Sequence, residues 1–188
     1  MLTLQLMAQS FKQEQKKYPR VRTAYAEKET EIQNLLLQND LSTENLRLYL
    51  RAFKLEKKLE LWAKNAQDTT YKLLKEYAIC RTSGSLGPKR KQGDLQIPEG
   101  FYHINRFNPY SNFYLSLGIN YPNASDRILS HKTTPGGDIF IHGACVTIGC
   151  IPITNDYIKG LYLICAEAKN SGQGNIPVTI FPAKLDKA

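Results

Sequence analysis

Asp138-Ile139-Phe140-Ile141-His142-Gly143-Ala144-Cys145-Val146-Thr147-Ile148-Gly149-Cys150 places an imidazole eight residues before a thiol. The run up to Ile141 alternates like a buried strand, so Phe140 and His142 point to one face while Ile139 and Ile141 point to the other. His142 closes that strand. Beyond Cys150 and Ile151-Pro152-Ile153, the triplet Thr154-Asn155-Asp156 is an N-cap signal. Apolar Ile158, Leu161, Tyr162, Cys165 and Ala166 follow it at helical spacing. The local order is strand, His, tight loop, Cys, helix. A cysteine is only a few per cent thiolate at neutral pH unless an imidazole, a helix N-terminus or another positive field lowers its pKa. The sequence offers both a His and a helix start, which makes Cys150 a candidate nucleophile and His142 its base.

The same residues admit other uses. A His at a strand end is commonly structural, and a free Cys is among the most buried residue types. Zinc could draw on Cys145, Cys150 and His142, but zinc ligands come in closely spaced pairs and no second pair completes a set of four. Neither a metal nor a cofactor is therefore expected.

Working outward, residues 18 to about 38 are rich in helix formers, with Ile32, Leu35 and Leu36 at helical spacing, and Ser42 or Thr43 reads as the cap of a second short helix running through Tyr49 and Leu50. Residues 18–52 are thus expected to form a helical N-terminal extension. From Phe53 the period changes to two. Leu59, Leu61 and Ala63 alternate with polar neighbours, Asn65 to Thr70 turn, and Tyr71 to Ile79 return, which predicts a β-hairpin. Short strands follow near 100–105, 112–117 and 137–141, then the helix from Asp156 and a last strand, Val178 to Phe181. Pro177 suggests that this strand lies at an edge or begins there. The expected fold class is mostly β with flanking helices (α+β), with residues 53–188 as the domain that carries the chemistry.

With 188 residues and 42% hydrophobic content, the chain suits one globular domain plus a short appendage, and two large domains would not fit. A net charge of +8 and a pI near 9.3 favour an acidic partner. Nucleic acid is not expected, because no basic helix, zinc knuckle or aromatic RNA-binding motif appears. The densest basic run, Lys89-Arg90-Lys91, reads as a solvated loop. Met1 to Ser10 are largely apolar with a small residue near the end, like the tail of a secretory signal processed near Ala8 or a frayed helical turn. Residues 1–17 are expected to be such a remnant or a disordered lead. No stretch approaches the ~20 apolar residues needed to span a membrane. Of four cysteines, Cys165 falls on the apolar stripe of the last helix, while Cys145 either pairs with Cys80 or fills the loop interior. A nucleophilic Cys150 must stay free.

Five separated motifs carry a resemblance: Gly87-Pro88-Lys89-Arg90-Lys91-Gln92-Gly93-Asp94, then Ile97-Pro98-Glu99-Gly100-Phe101-Tyr102, then Ser116-Leu117-Gly118-Ile119-Asn120-Tyr121-Pro122, then Ile141-His142-Gly143, and finally Thr147-Ile148-Gly149-Cys150. In these the chain resembles the L,D-transpeptidase catalytic-domain family of the YkuD type, and within it the YafK-like branch, from about Arg20 onward. It departs from the usual pattern in two ways. Only seven residues separate His142 from Cys150, and Ile148 stands where the loop usually has a second His. The resemblance implies a mixed β-sandwich with its site at strand ends.

It also implies a peptidoglycan-active cysteine acyltransferase that attacks diaminopimelate-containing stem peptides through a thioester on Cys150, with His142 as base and a backbone carbonyl at or near Gly143 orienting the imidazole. Asp138 is a poor substitute for that carbonyl, since four residues of extended strand span roughly 13 Å. Backbone amides of Ile148, Gly149 and Cys150 are the natural oxyanion donors. Arg106, Tyr110, Asn112 and Arg127 are candidates for contacting a zwitterionic substrate, by chemistry and by position between two strands. Expected partners are peptidoglycan stem peptides and a wall-linked lipoprotein, in the periplasm or cell envelope. The alternatives are a hydrolytic amidase that releases protein from peptidoglycan and a catalytically silent wall-binding module. A papain-like protease requires Cys before His, the reverse of the order here.

Overall fold

The computed structural model describes residues 10–185. The secretory-tail expectation for Met1 to Ser10 lies outside the described residues, save Ser10 itself. From there the chain is helical rather than a disordered lead. Ser10 caps α1 (Phe11–Lys16) with a reciprocal box, its hydroxyl accepting from the Gln13 amide at 3.3 Å while its own amide donates to the Gln13 side chain. Helix α2 (Pro19–Leu37) starts with proline in its first turn, where the missing N–H costs nothing.

Eight strands form one mixed sheet: β1 (Leu46–Phe53), β2 (Lys58–Asn65), β3 (Lys72–Ala78), β4 (Gly100–Asn108), β5 (Ser116–Ile119), β6 (Phe140–His142), β7 (Ile151–Pro152) and β8 (Ile176–Phe181). Their spatial order is β3-β2-β1-β8-β4-β5-β6-β7. The predicted hairpin is present as antiparallel β2 and β3, with Leu59 opposite Tyr77. The predicted short helix through Leu50 is not; that segment is β1, antiparallel to β2 and parallel to β8. Its sequence carries the signal for strand, because Leu46, Leu48, Leu50 and Ala52 are buried while Arg47, Tyr49 and Arg51 between them are not. A cap-like Ser-Thr pair outweighed a clear period of two. The sheet therefore begins at Leu46 rather than Phe53.

Strand β8 lies in the middle of the sheet, not at an edge, yet Pro177 is accommodated at its start, since pairing to β1 begins only at Val178. Helix α4 (Asn155–Asn170) is covered on nearly every side, with Ile158 and Leu161 through Ala168 all buried. It lies between the sheet and the helical layer of α1 and α2. Helix α2 contributes one stripe, Val21, Ala24, Tyr25, Ile32 and Leu36. Where polar groups enter this interface they are paired: Tyr25 donates to Glu167 at 3.0 Å and Tyr162 to Gln15 at 2.6 Å. Among the described residues no helix is long and apolar enough to cross a membrane.

Candidate active site

Strand β6 is three residues long and is held on both sides. Ser116 of β5 pairs antiparallel with His142, and Pro152 of β7 pairs with it in parallel. This fixes the backbone at His142, whose side chain is buried and stacks on the Phe113 ring at 4.5 Å between centroids. Its Nδ1 lies 2.5 Å from the Gly143 carbonyl oxygen. A carbonyl only accepts, so Nδ1 carries the proton and Nε2 presents a lone pair. Burial lowers the imidazole pKa and the Gly143 carbonyl partly opposes that shift, so the ring is neutral at pH 7.

Gly143 itself is dictated by packing. A Cβ there would lie 2.5 Å from Asn155 Oδ1 and 2.7 Å from the Phe113 carbonyl oxygen. The same Asn155 oxygen accepts from the Ala144 amide at 2.8 Å, so the first residue of α4 pins the turn that follows the His.

Cys150 directly precedes β7. Because Ile141 pairs with Ile151, Cys150 falls at the register position of Phe140 and shares a sheet face with His142. The two residues arrive there from either end of the 143–149 loop. Cys145, inside this loop, is bonded to Cys80 just beyond β3, and the Cys80 amide donates to Pro152 O at 3.1 Å. That pairing removes Cys145 from any zinc set. Among the described residues no group of three His, Cys, Asp or Glu is placed to hold a metal. Cys150 is free and half-buried, while Cys165, the other free thiol, is sealed in the core.

The expected help from a helix N-terminus does not materialise. β7 intervenes before α4, and Thr154 caps that helix by accepting from the Tyr157 amide at 3.2 Å. Burial raises the thiol pKa. A backbone contact from Phe140 opposes that rise, the Asp138 charge adds to it, and the Lys89 charge opposes it. Both shifts favour the uncharged forms of thiol and imidazole, and the Cys150 Sγ lies 3.7 Å from the Asp138 carbonyl oxygen.

The amides of Gly149 and Cys150, anticipated as open oxyanion donors, are engaged. Both donate to Thr147 Oγ1, at 3.1 and 2.8 Å, and that hydroxyl donates in turn to Cys150 O at 2.8 Å. A Thr three residues before the Cys closes a side-chain turn of this kind. Gly149 adopts φ +137° with its α-carbon against Gln96, where a Cβ would sit 3.0 Å from the carbonyl oxygen. Ile148 projects outward, 78% exposed.

Cys150 opens into a groove of about 360 Å³ lined by Lys89, Gln92, Leu95, Asp138 and Ile148 together with several glycines. None of the four residues anticipated for substrate contact lines it. Arg106 comes nearest, through an ion pair with Asp138 at 2.9 Å, its guanidinium lying over Phe140. Tyr110 is exposed and packs edge-on against Tyr18; Asn112 is exposed in the turn before β5; Arg127 belongs to α3 (Ala124–Leu129), beside Asn105 and Tyr121. Position between two strands in the sequence does not specify which side of the sheet a side chain reaches.

The residue missed was Lys89. Far from being solvated, its side chain is 5% exposed, with Nζ donating to Asp94 Oδ1 at 2.5 Å and to Lys91 O at 3.0 Å. Asp94 also accepts from the amides of Arg90, Lys91 and Gln96. A carboxylate five residues after a lysine in a Gly-Pro-bounded loop was the available signal.

Three comparisons bear on this arrangement. Residues 50–180 match the family model described as the L,D-transpeptidase catalytic domain, YkuD. YafK of Escherichia coli K12, named only provisionally as an L,D-transpeptidase, is 39% identical over 143 residues, covering 75% of this chain and 56% of that protein. Among solved structures, the helical cell shape determining protein Pgp2 from Campylobacter jejuni matches with TM-score 0.57 at 22% identity, covering 77% of this chain and 50% of that one. Bd1075 of Bdellovibrio bacteriovorus matches at TM-score 0.51 and 24% identity, over 76% and 50%. These two support the fold alone. The chain spans about half the length of the relatives it matches. With a model match over most of its length and a relative well above 30% identity, the chain belongs to the L,D-transpeptidase catalytic-domain (YkuD) family.

Proposed function

We propose that this protein is a cysteine acyltransferase of the L,D-transpeptidase type acting on diaminopimelate-containing stem peptides of peptidoglycan. The observation that carries the proposal is the His142 imidazole, pinned through Nδ1 on the Gly143 carbonyl at 2.5 Å and sharing a sheet face with Cys150 across the β6–β7 register. In the first half-reaction Cys150 Sγ attacks the peptide carbonyl following the L-centre of diaminopimelate, and His142 Nε2 takes the thiol proton. Collapse of the tetrahedral intermediate expels the D-residue amine, which receives that proton, and leaves a thioester on Cys150. The backbone amides of Ile148, Gly149 and Cys150 serve as oxyanion donors, the latter two once Thr147 Oγ1 gives them up. In the second half-reaction an amine or water attacks the thioester and the base cycle repeats.

A water-resolved outcome, releasing protein from the wall, is supported by one feature. Ile148 places an exposed apolar side chain at the groove where the family pattern has a His. The Cys80–Cys145 disulfide supports an oxidising, exported location in the cell envelope. The test is intact-protein mass after incubation with a disaccharide tetrapeptide or a carbapenem. A stoichiometric adduct in the native protein that is lost in Cys150→Ala is expected. No adduct under either condition would return the fold to a silent wall-binding module.

A further inference from the structure

The groove holds a second feature that the thiol and the imidazole do not use. Lys89 is almost fully withdrawn from solvent yet lines the groove wall together with Cys150. Its ammonium carries three donors and, among the described residues, has two hydrogen-bond partners, Asp94 and the Lys91 carbonyl. Asp94 is not left to Lys89 alone. Three backbone amides, from Arg90, Lys91 and Gln96, converge on the same carboxylate. Those amides hold Asp94 in place as the fixed partner of Lys89. The loop is itself tied to the 131–134 segment, Gln92 N donating to Thr134 O at 2.9 Å and His131 N to Arg90 O at 2.8 Å. The other charged group on the groove, Asp138, is exposed and already paired with Arg106. A buried, rigidly mounted ammonium that keeps a third donor beyond Asp94 and the Lys91 carbonyl has a place for one more acceptor on the groove side.

We propose that Lys89, held by Asp94, is a carboxylate-recognition subsite of the Cys150 groove that takes a free carboxylate of the donor peptide and so sets the register of the scissile carbonyl on the thiol. The proposal rests on the acyltransferase reading for its substrate class. Two free carboxylates flank the scissile bond and can be the one taken: the C-terminal one on the departing residue and the one on the diaminopimelate side chain.

The experiment uses Cys150→Ala protein, which cannot be acylated, titrated calorimetrically with the tetrapeptide acid, its C-terminal amide and its side-chain amide. One amide should bind at least ~10-fold more weakly than the acid, the loss expected for a desolvated charge-assisted hydrogen bond. That amide identifies the carboxylate. Adding Lys89→Met should weaken the acid to the level of the amide and leave the amide unchanged, while Lys89→Arg should retain part of the preference. Three peptides binding equally, none binding, or an amide penalty that survives Lys89→Met would each overturn the subsite. If Lys89→Met fails to fold, the three-peptide comparison and Lys89→Arg still decide. Failure of the acyltransferase reading shows separately, as absence of any adduct on native Cys150.

Discussion

The imidazole of His142 receives from a neighbouring carbonyl the orientation that a carboxylate would otherwise supply, and burial keeps it neutral. This arrangement has a pH consequence with a definite sign. The base must be unprotonated, and its pKa is pushed below the ordinary 6.5, so the acidic limb of acylation should fall below pH 6.5. The thiol is shifted upward from 9.0, so alkylation of free Cys150 by a small neutral reagent should still be rising at pH 9. Acylation rates and iodoacetamide rates measured from pH 5 to about 10 check both limbs; a thiolate already saturated at pH 7 contradicts the assignment. His142→Gln should slow acylation by about 100-fold or more, the usual size of a general-base contribution. Cys150→Ala should abolish turnover without unfolding the protein. Thr147→Ala removes the hydroxyl that holds the turn around Gly149 and Cys150, so a loss of acylation rate with unchanged peptide affinity is expected from the lost positioning of the thiol.

Two short connections position the site at the level of elements. The 143–149 loop is tied at Asn155, at Thr147 and by the disulfide to Cys80, a closure across a sequence separation of 65 residues. Removing that bond by Cys145→Ala should cost about 2–4 kcal/mol of stability, read as a lowered denaturation midpoint. Acylation should fall far less than in Cys150→Ala, and equal loss in both variants would mean that the loop cannot form without the disulfide. The 89–96 loop depends on Asp94 in a different way. Burial raises the Asp94 pKa, but the Lys89 ammonium and the amides of Lys91, Arg90 and Gln96 outweigh it, bringing it from 3.8 to about 2. The folded state therefore binds fewer protons than the unfolded chain between those values, and Asp94 contributes stability that is present above pH ~4 and lost as pH falls toward ~2. Asp94→Asn should flatten that acid limb in denaturation curves taken at each pH.

On the scale of the whole molecule, the helical layer and the sheet share one core through α4. Helix α4 has no exposed face to spare, so a chain beginning at Leu46 would leave its outer apolar side uncovered. Such a truncation should not fold cooperatively, and Leu161→Ala in the intact chain should cost about 2–5 kcal/mol by the cavity argument. The same scale governs transfer against hydrolysis, since acceptor access depends on groove shape rather than on the dyad. With Ile148 at the groove and a seven-residue loop, a tetrapeptide donor and excess acceptor stem peptide should yield little cross-linked dimer. Abundant dimer, rising with acceptor concentration, would restore general cross-linking.

The sequence by itself determined the strand that ends at His142, the β2–β3 hairpin, the capped helix after Cys150 and the family, because each is written in adjacent residues through period, cap or motif, and it proposed His142 and Cys150 as a dyad on the same grounds. Local order could not decide what depends on distant segments meeting. Leu46 to Phe53 became a strand because β2 and β8 pair with it on both sides, and β8 lies at the centre because β1 and β4 flank it there. Cys145 found Cys80 rather than a metal, the helix N-terminus proved too far along the chain to aid the thiol, and the basic loop turned Lys89 inward onto Asp94. The four anticipated substrate residues fell outside the groove for the same reason. Period and propensity specify which face of an element is buried, whereas the walls of a groove are set by which loops the sheet brings together, and that is a property of topology.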